Sequence, residues 1–320
     1  MTRRPVLLTA NLFGIPFSLV GLAQCWTTAH ALAAVPAWPG SALWLVAGLT
    51  YGVLVVAYLA DVARTGRART EMSDLTFGPF TALILIVPML LALALAEALP
   101  RTGTVIFLVM VALNAVYGGW LSGQWIVQDM PLERWHPGYF LPTVAGPLLA
   151  ATGCATLGFG GLARLLLGYG LICWLTLGAI ILARLFTRPA LPTPLVPTLA
   201  IELAPPVVAG TAWFTINGRV DTVAYLLAGY AVLMVIVQLR LIGLYLTVPF
   251  VSGIWAYGFS YAAAFTYSIR WLDAAQVPAQ RALTSCLLAV ISAGIAALAI
   301  GTGITLKRGT FLPRAHVVPA

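Results

Sequence analysis

Long apolar runs, separated by short polar or proline-rich gaps, occupy the chain from residue 7 to residue 306. A bilayer-crossing helix needs about twenty mostly apolar residues. On that measure the pattern predicts ten spans: 7–32, 42–62, 77–99, 103–128, 138–160, 163–187, 196–216, 220–247, 249–268 and 283–306. Turn chemistry marks the gaps, as at Pro36 to Gly40, Arg64 to Asp74, Pro100-Arg101-Thr102-Gly103 and Arg188 to Pro197. Asn217-Gly218-Arg219 is a tight polar turn that predicts a helical hairpin from spans seven and eight. A spanning barrel is excluded, because its strands would alternate over roughly ten residues.

The prolines sort by span. Span one holds Pro16, span three Pro79 and Pro88, span five Pro142 and Pro147, span seven Pro205 and Pro206, and span nine begins at Pro249. The even spans hold none. Proline removes a backbone donor and kinks a helix, and irregular backbone is tolerated at membrane depth only when buried in protein or lining a wet cavity. The expectation is therefore an all-α polytopic membrane protein in one membrane domain over residues 1–320. Its repeats would be five hairpins, near 7–62, 77–128, 138–187, 196–247 and 249–306, each with one kinked and one straight helix. Kinked odd helices would form an inner ring around a central pore, and straight even helices an outer ring.

Composition supports the membrane reading. Of 320 residues 61% are hydrophobic and 8% charged, with a mean hydropathy of +0.98. A soluble domain carries about a quarter of its residues as charges, so no water-facing surface is available. The first run ends at Ala29-His30-Ala31, which mimics a signal-peptide cleavage site, but its length and Pro16 fit a retained helix better. The net charge of +8 does not indicate nucleic acid, because the basic residues are scattered between apolar runs and form no block. They report topology instead. With the N-terminus inside, Arg3, Arg4, Arg64, Arg67, Arg69, Arg134, Arg184, Arg188, Arg240, Lys307, Arg308 and Arg314 fall on the cytoplasmic side. Arg101, Arg164, Arg219, Arg270 and Arg281 fall outside. Both termini are thus expected in the cytoplasm of a cell or inner membrane. Cys25, Cys154, Cys173 and Cys286 lie within apolar runs without metal or disulfide spacing.

Charges inside the spans are few. Glu202, early in span seven, is a candidate proton-coupling carboxylate or an interfacial residue; Glu97 and Arg240 read as interfacial or snorkelling groups. No hydrolase, zincin or nucleotide-loop motif occurs, so neither an enzyme nor a cofactor is expected. An almost uncharged wall, with helix ends supplying partial positive charge, suits weakly held anions, though neutral solutes tolerate it too. In span nine, Gly253-Ile254-Trp255-Ala256-Tyr257-Gly258-Phe259-Ser260-Tyr261 places rings beside glycine and serine, a candidate hydrophobic plug.

Several stretches carry a resemblance. Phe13-Gly14-Ile15-Pro16, His136-Pro137-Gly138-Tyr139-Phe140-Leu141-Pro142-Thr143-Val144-Ala145, Leu203-Ala204-Pro205-Pro206, Ile216 to Thr222, Leu239-Arg240-Leu241 and Trp255-Ala256-Tyr257-Gly258-Phe259 follow one family's order. The chain resembles the tellurite-resistance/dicarboxylate transporter family, which includes bacterial TehA proteins, yeast malate permease and the plant slow anion channels. The resemblance implies ten helices as five hairpins around one pore per subunit, in a homotrimer. It further implies an anion pathway gated by a phenylalanine on helix nine, here Phe259, with Tyr257 the other ring of the motif. Gly14 would match the helix-one kink, and Pro16, Pro142 and Pro205 inner-helix kinks. Pro88, Pro147, Pro206 and Gly258 join them as expected pore-lining kinks. The function expected is an anion channel or channel-like transporter, with a proton-coupled dicarboxylate or monocarboxylate carrier as the alternative. The partners expected are small anions or carboxylates as permeants and the lipid bilayer.

Overall fold

The computed structural model describes residues 8–312, so Arg3, Arg4 and Arg314 of the topological reading lie outside the described residues. Within them the chain is helical and without strands, and eight helices are long and apolar enough to cross a membrane. In chain order the α-helices are α1 (Gly14–Ala33), α2 (Trp38–Thr65), the short α3 (Ala68–Met72), α4 (Leu83–Ala98), α5 (Pro100–Val127) and α6 (Gly146–Thr156). They continue as α7 (Gly160–Thr187), α8 (Ala204–Asn217), α9 (Thr222–Tyr245), α10 (Ala256–Ala274) and α11 (Gln280–Lys307).

Two helix types alternate. Each of α1, α4, α6, α8 and α10 is entered directly from a differently wound segment. Four are 3₁₀ segments, Ala10–Phe13, Gly78–Ala82, Thr193–Leu203 and Ser252–Trp255; the fifth, ahead of α6, is the π-helical Leu141–Ala145. The helices α2, α5, α7, α9 and α11 are continuous. Burial follows the same division. Across the composite helices Ala10–Ala33, Gly78–Ala98 and Thr193–Asn217, 61–83% of the most apolar stretch is buried; across the five continuous helices the share is 11–33%. The latter expose Leu45, Val53, Val116, Leu175 and Val290, a surface suited to lipid.

Proline explains the junctions. Pro205 and Pro206 stand in the first turn of α8, where backbone N–H groups have no intrahelical acceptor. They therefore end an eleven-residue 3₁₀ stretch and start an α-helix, and do not break one midway. Pro147 does the same for α6, Pro142 lies in the π segment, and Pro79 opens its 3₁₀ segment. Pro88 alone among these is interior to an α-helix, and Pro249 precedes its 3₁₀ segment. The continuous helices α2 and α5 begin earlier than the sequence pattern suggests, and so include Pro39 and Pro100 in first turns.

Two expected spans differ from observation. Span 138–160 resolves into the 3₁₀ turn Pro137–Tyr139, the π segment and the eleven-residue α6, wound in three ways and not as one long α-helix. Span 249–268 becomes α10, which starts at Ala256 and continues past Arg270 to Ala274. Polarity placed the expected end before Arg270; the helix continues because that arginine borders a cavity.

Local clamps fix the helix ends. Gly218, at φ 63°, closes α8, and Asp221 caps α9 by accepting from the Ala224 amide (3.0 Å) and from Trp213 Nε1 (2.9 Å). Glu71 accepts from the Ala10 amide (2.7 Å) and the Tyr58 hydroxyl (3.1 Å), tying the first 3₁₀ segment to α2 and α3. Beside it Arg67 pairs with buried Asp61 at 2.7 Å and donates to the Leu8 carbonyl. The four cysteines are free.

Candidate functional site

The five composite helices converge on two cavities. The narrow one, about 40 Å³, lies at the junctions themselves: Gly14, Leu83, Ala204 and Ala256, the first residues of four α-helices, border it with Ala145, which precedes the fifth. The wide one, about 170 Å³, is bordered by later turns of the same five helices and by Trp44 of α2. On α10 the bordering residues are Phe259, Ala263, Thr266 and Arg270, a spacing that marks one face of an α-helix. Among the described residues Phe259 is the one shared by both linings.

Phe259 is held firmly. Its ring stacks on Phe17 with centroids 3.7 Å apart and planes 9° from parallel, and it is 4% exposed. Both phenylalanines are the fourth residue of their helices; the equivalent positions are Ile86, Leu149 and Val207. The α1–α10 crossing is close because of glycine. A Cβ on Gly21 would lie 2.9 Å from Phe259 Cδ2, and one on Gly258 would overlap Ser18. Ser18 Oγ in turn lies within reach of the carbonyls of Gly14 (2.7 Å) and Trp255 (2.9 Å), so its single proton is shared between the two junctions.

Other expected site residues lie elsewhere. Gly14 borders the narrow cavity, but Pro16, Pro88, Pro142, Pro147, Pro205, Pro206 and Gly258 border neither; most are buried behind the wall they shape. Tyr257 also borders neither. It packs on Tyr245 (4.9 Å) and Tyr261 (6.2 Å), whose hydroxyls both donate to Gln238 Oε1. Glu202 is buried on its 3₁₀ segment, with Oε1 lacking a hydrogen-bond partner, and likewise borders neither cavity. Glu97 and Arg240 are exposed.

His136, read from sequence as a loop residue, is fully buried. Its Nδ1 accepts from the Gly138 amide (3.1 Å), which leaves Nε2–H to donate to the Thr76 carbonyl (3.0 Å). Burial pushes its pKa down to about 4, so the ring is neutral and ties the loop at Thr76 to the 3₁₀ turn Pro137–Tyr139 ahead of the π segment. Tyr139 adds a hydroxyl bond to the Leu75 carbonyl.

The wide cavity holds groups that sequence reasoning missed. Six threonines border it, Thr27, Thr28, Thr152, Thr156, Thr211 and Thr266, with Gln24 and Arg270. Arg270 also borders an outer groove with Arg219 and Asp273. The i, i+4, i+7, i+11 spacing of Phe259, Ala263, Thr266 and Arg270 was the available signal.

These features define a multi-pass helical membrane protein with two internal cavities that share one buried ring, and no group of three or more potential metal ligands among the described residues. The profile of the SLAC1 family, described as a voltage-dependent anion channel, matches residues 8–303, and the chain belongs to this family of anion channels and transporters. It is 30% identical over 275 residues to the tellurite resistance protein TehA homolog of Haemophilus influenzae, covering 81% of this chain and 80% of the relative. It is 27% identical over 187 residues to the guard cell S-type anion channel SLAC1 of Arabidopsis thaliana, covering 58% of this chain and 33% of the relative. Membership agrees with a transport role and not an enzymatic one.

Proposed function

We propose that the chain is an anion channel in which ten transmembrane helices form five hairpins, the five composite helices line a central path, and Phe259 closes it. The observation that carries this reading is the placement of one stacked ring between two cavities bordered by the same five helices. On the cytoplasmic-termini topology, the narrow cavity opens inward and the wide cavity outward. The wall is nearly free of fixed charge: among bordering residues Arg270 is the charged one, and no carboxylate borders either cavity. Such a wall admits anions without trapping them, as conduction requires. A hydrophobic constriction blocks by excluding water, and conduction follows when the ring swings aside. The homotrimer and the inner-membrane location implied by the resemblance belong to the same proposal.

A proton-coupled carboxylate carrier is the second reading, favoured by the buried, unpartnered Glu202 carboxyl. Its position off both cavities favours the channel. Flux of chloride, nitrate and malate from proteoliposomes at clamped pH and voltage tests the choice. The channel reading expects passive, voltage-driven chloride and nitrate flux that is indifferent to a pH gradient. Malate uptake that requires an inward proton gradient would replace it with the carrier.

A further inference from the structure

We propose that Arg270, Gln24 and Thr28 form an anion-binding site in the wide cavity that takes a small planar oxyanion such as nitrate or a short carboxylate. The inference deepens the channel reading and rests on it for the site's role in permeation.

The argument begins with a count of donors. Six threonines suggest a wall rich in hydroxyl donors, but five have committed their protons. Thr27, Thr152, Thr156, Thr211 and Thr266 each donate to the carbonyl four residues earlier, at 2.8–3.4 Å. With their protons committed, those five hydroxyls have none left to donate to an anion, and Thr27 Oγ1 also accepts from Trp44 Nε1 (3.1 Å). Three bordering side chains keep free donors: Thr28, Gln24 and Arg270 make no hydrogen bond among the described residues. Gln24 and Thr28 are four apart on α1 and so share a face, and α1 packs directly on α10, which carries Arg270.

Arg270 keeps its charge available. Its buried Nε has no partner, and no ion pair neutralises it. Asp273, on the same helix, attracts it electrostatically, but a carboxylate oxygen of Asp273 is taken by Gln280 Nε2 at 3.2 Å. Arg219, the other arginine on the outer groove, is paired with Asp221 at 3.8 Å. The free guanidinium therefore stands where groove and wide cavity meet. A guanidinium is a planar fork that matches two oxygens of a planar anion and gains less from a sphere. The cavity volume of about 170 Å³ has room for such an ion, whereas the narrow cavity, about 40 Å³, holds little more than a single small ion.

The test reads binding without conduction. Thermal unfolding of the purified full chain in detergent is followed while sodium nitrate is titrated, with ionic strength held by a bulky sulfonate salt. The wild-type midpoint should rise with nitrate, since a ligand bound to the native state stabilises it. Arg270→Gln should weaken nitrate at least about tenfold, the scale of one lost charged hydrogen bond, and Arg270→Lys should retain part of it. Gln24→Leu and Thr28→Val, which leave the guanidinium in place, should weaken it several-fold and cover the case in which Arg270→Gln fails to fold. Equal nitrate shifts in wild type and Arg270→Gln, or no shift in wild type, would overturn the site. A wild-type shift lost in Arg270→Gln, beside an unchanged flux in Phe259→Ala, would keep the site and remove the barrier reading.

Discussion

If Phe259 is the barrier, Phe259→Ala joins the two cavities that its ring borders, and the effect can be scaled from the geometry. The closed ring gains from two sources. Its stack on Phe17, at 3.7 Å, contributes about 0.5–1.5 kcal/mol beyond burial. Its burial, at 4% exposure, contributes about 1.5–3 kcal/mol. An opened ring forfeits most of both, so closure is favoured by roughly 2–4 kcal/mol, or roughly thirty- to a thousandfold at one decade per 1.4 kcal/mol. Chloride efflux from proteoliposomes, with a potassium ionophore supplying counter-charge, should rise in the variant by a factor in that range. Phe17→Ala removes only the stack, and should raise efflux roughly two- to tenfold. It should add almost nothing in the Phe259→Ala background. Flux at the wild-type level from monodisperse Phe259→Ala would refute the barrier assignment, whatever the family of the protein.

Three further expectations concern residues off the path. Glu202→Gln should leave chloride flux and its response to a pH gradient unchanged, because the carboxyl borders neither cavity; abolished transport would return the carrier reading. Glu71→Ala should destabilise by about 1–3 kcal/mol, because the Ala10 amide and the Tyr58 hydroxyl both lose their acceptor. Glu71→Gln, which keeps a carbonyl oxygen, should recover part of that loss in thermal unfolding. His136 imposes a pH dependence whose sign follows from its depressed pKa. The unfolded chain takes up this proton near pH 6.5 and the folded chain only near 4, so the stabilisation is fully present above 6.5 and is lost on acidification through that window. The loss reaches about 3 kcal/mol, and His136→Gln should flatten that part of the stability–pH curve.

The alternation of helix types was legible from proline positions, because proline acts locally and a membrane leaves few places for it. What the prolines do was less legible. Pro205 and Pro206 read as a break within a helix, yet they stand at a first turn. Telling these apart requires knowing that Thr193–Leu203 is wound as 3₁₀, which apolar periodicity over eleven residues does not resolve. Phe259 could be singled out within its own motif, but its partner Phe17 belongs to the other end of the chain and carries no local mark. Arg270 was lost to a rule of thumb: a charge ends a span unless it has somewhere polar to face, and the cavity that receives it is made by five other helices. His136 was missed for the converse reason. A histidine between spans reads as exposed, and only the folded loop at Thr76 buries it.

The matched register of Phe17 and Phe259 bears on how such a path would open. A camera iris closes by equal advance of every blade, and must retract every blade to pass light. Here two of five equivalent places carry rings, and the other three carry Ile86, Leu149 and Val207. If Phe259 is the barrier, the shutter is lopsided, hinged along the seam of α1 and α10. Torsions at two side chains then suffice to clear it, while the three other helices keep their places.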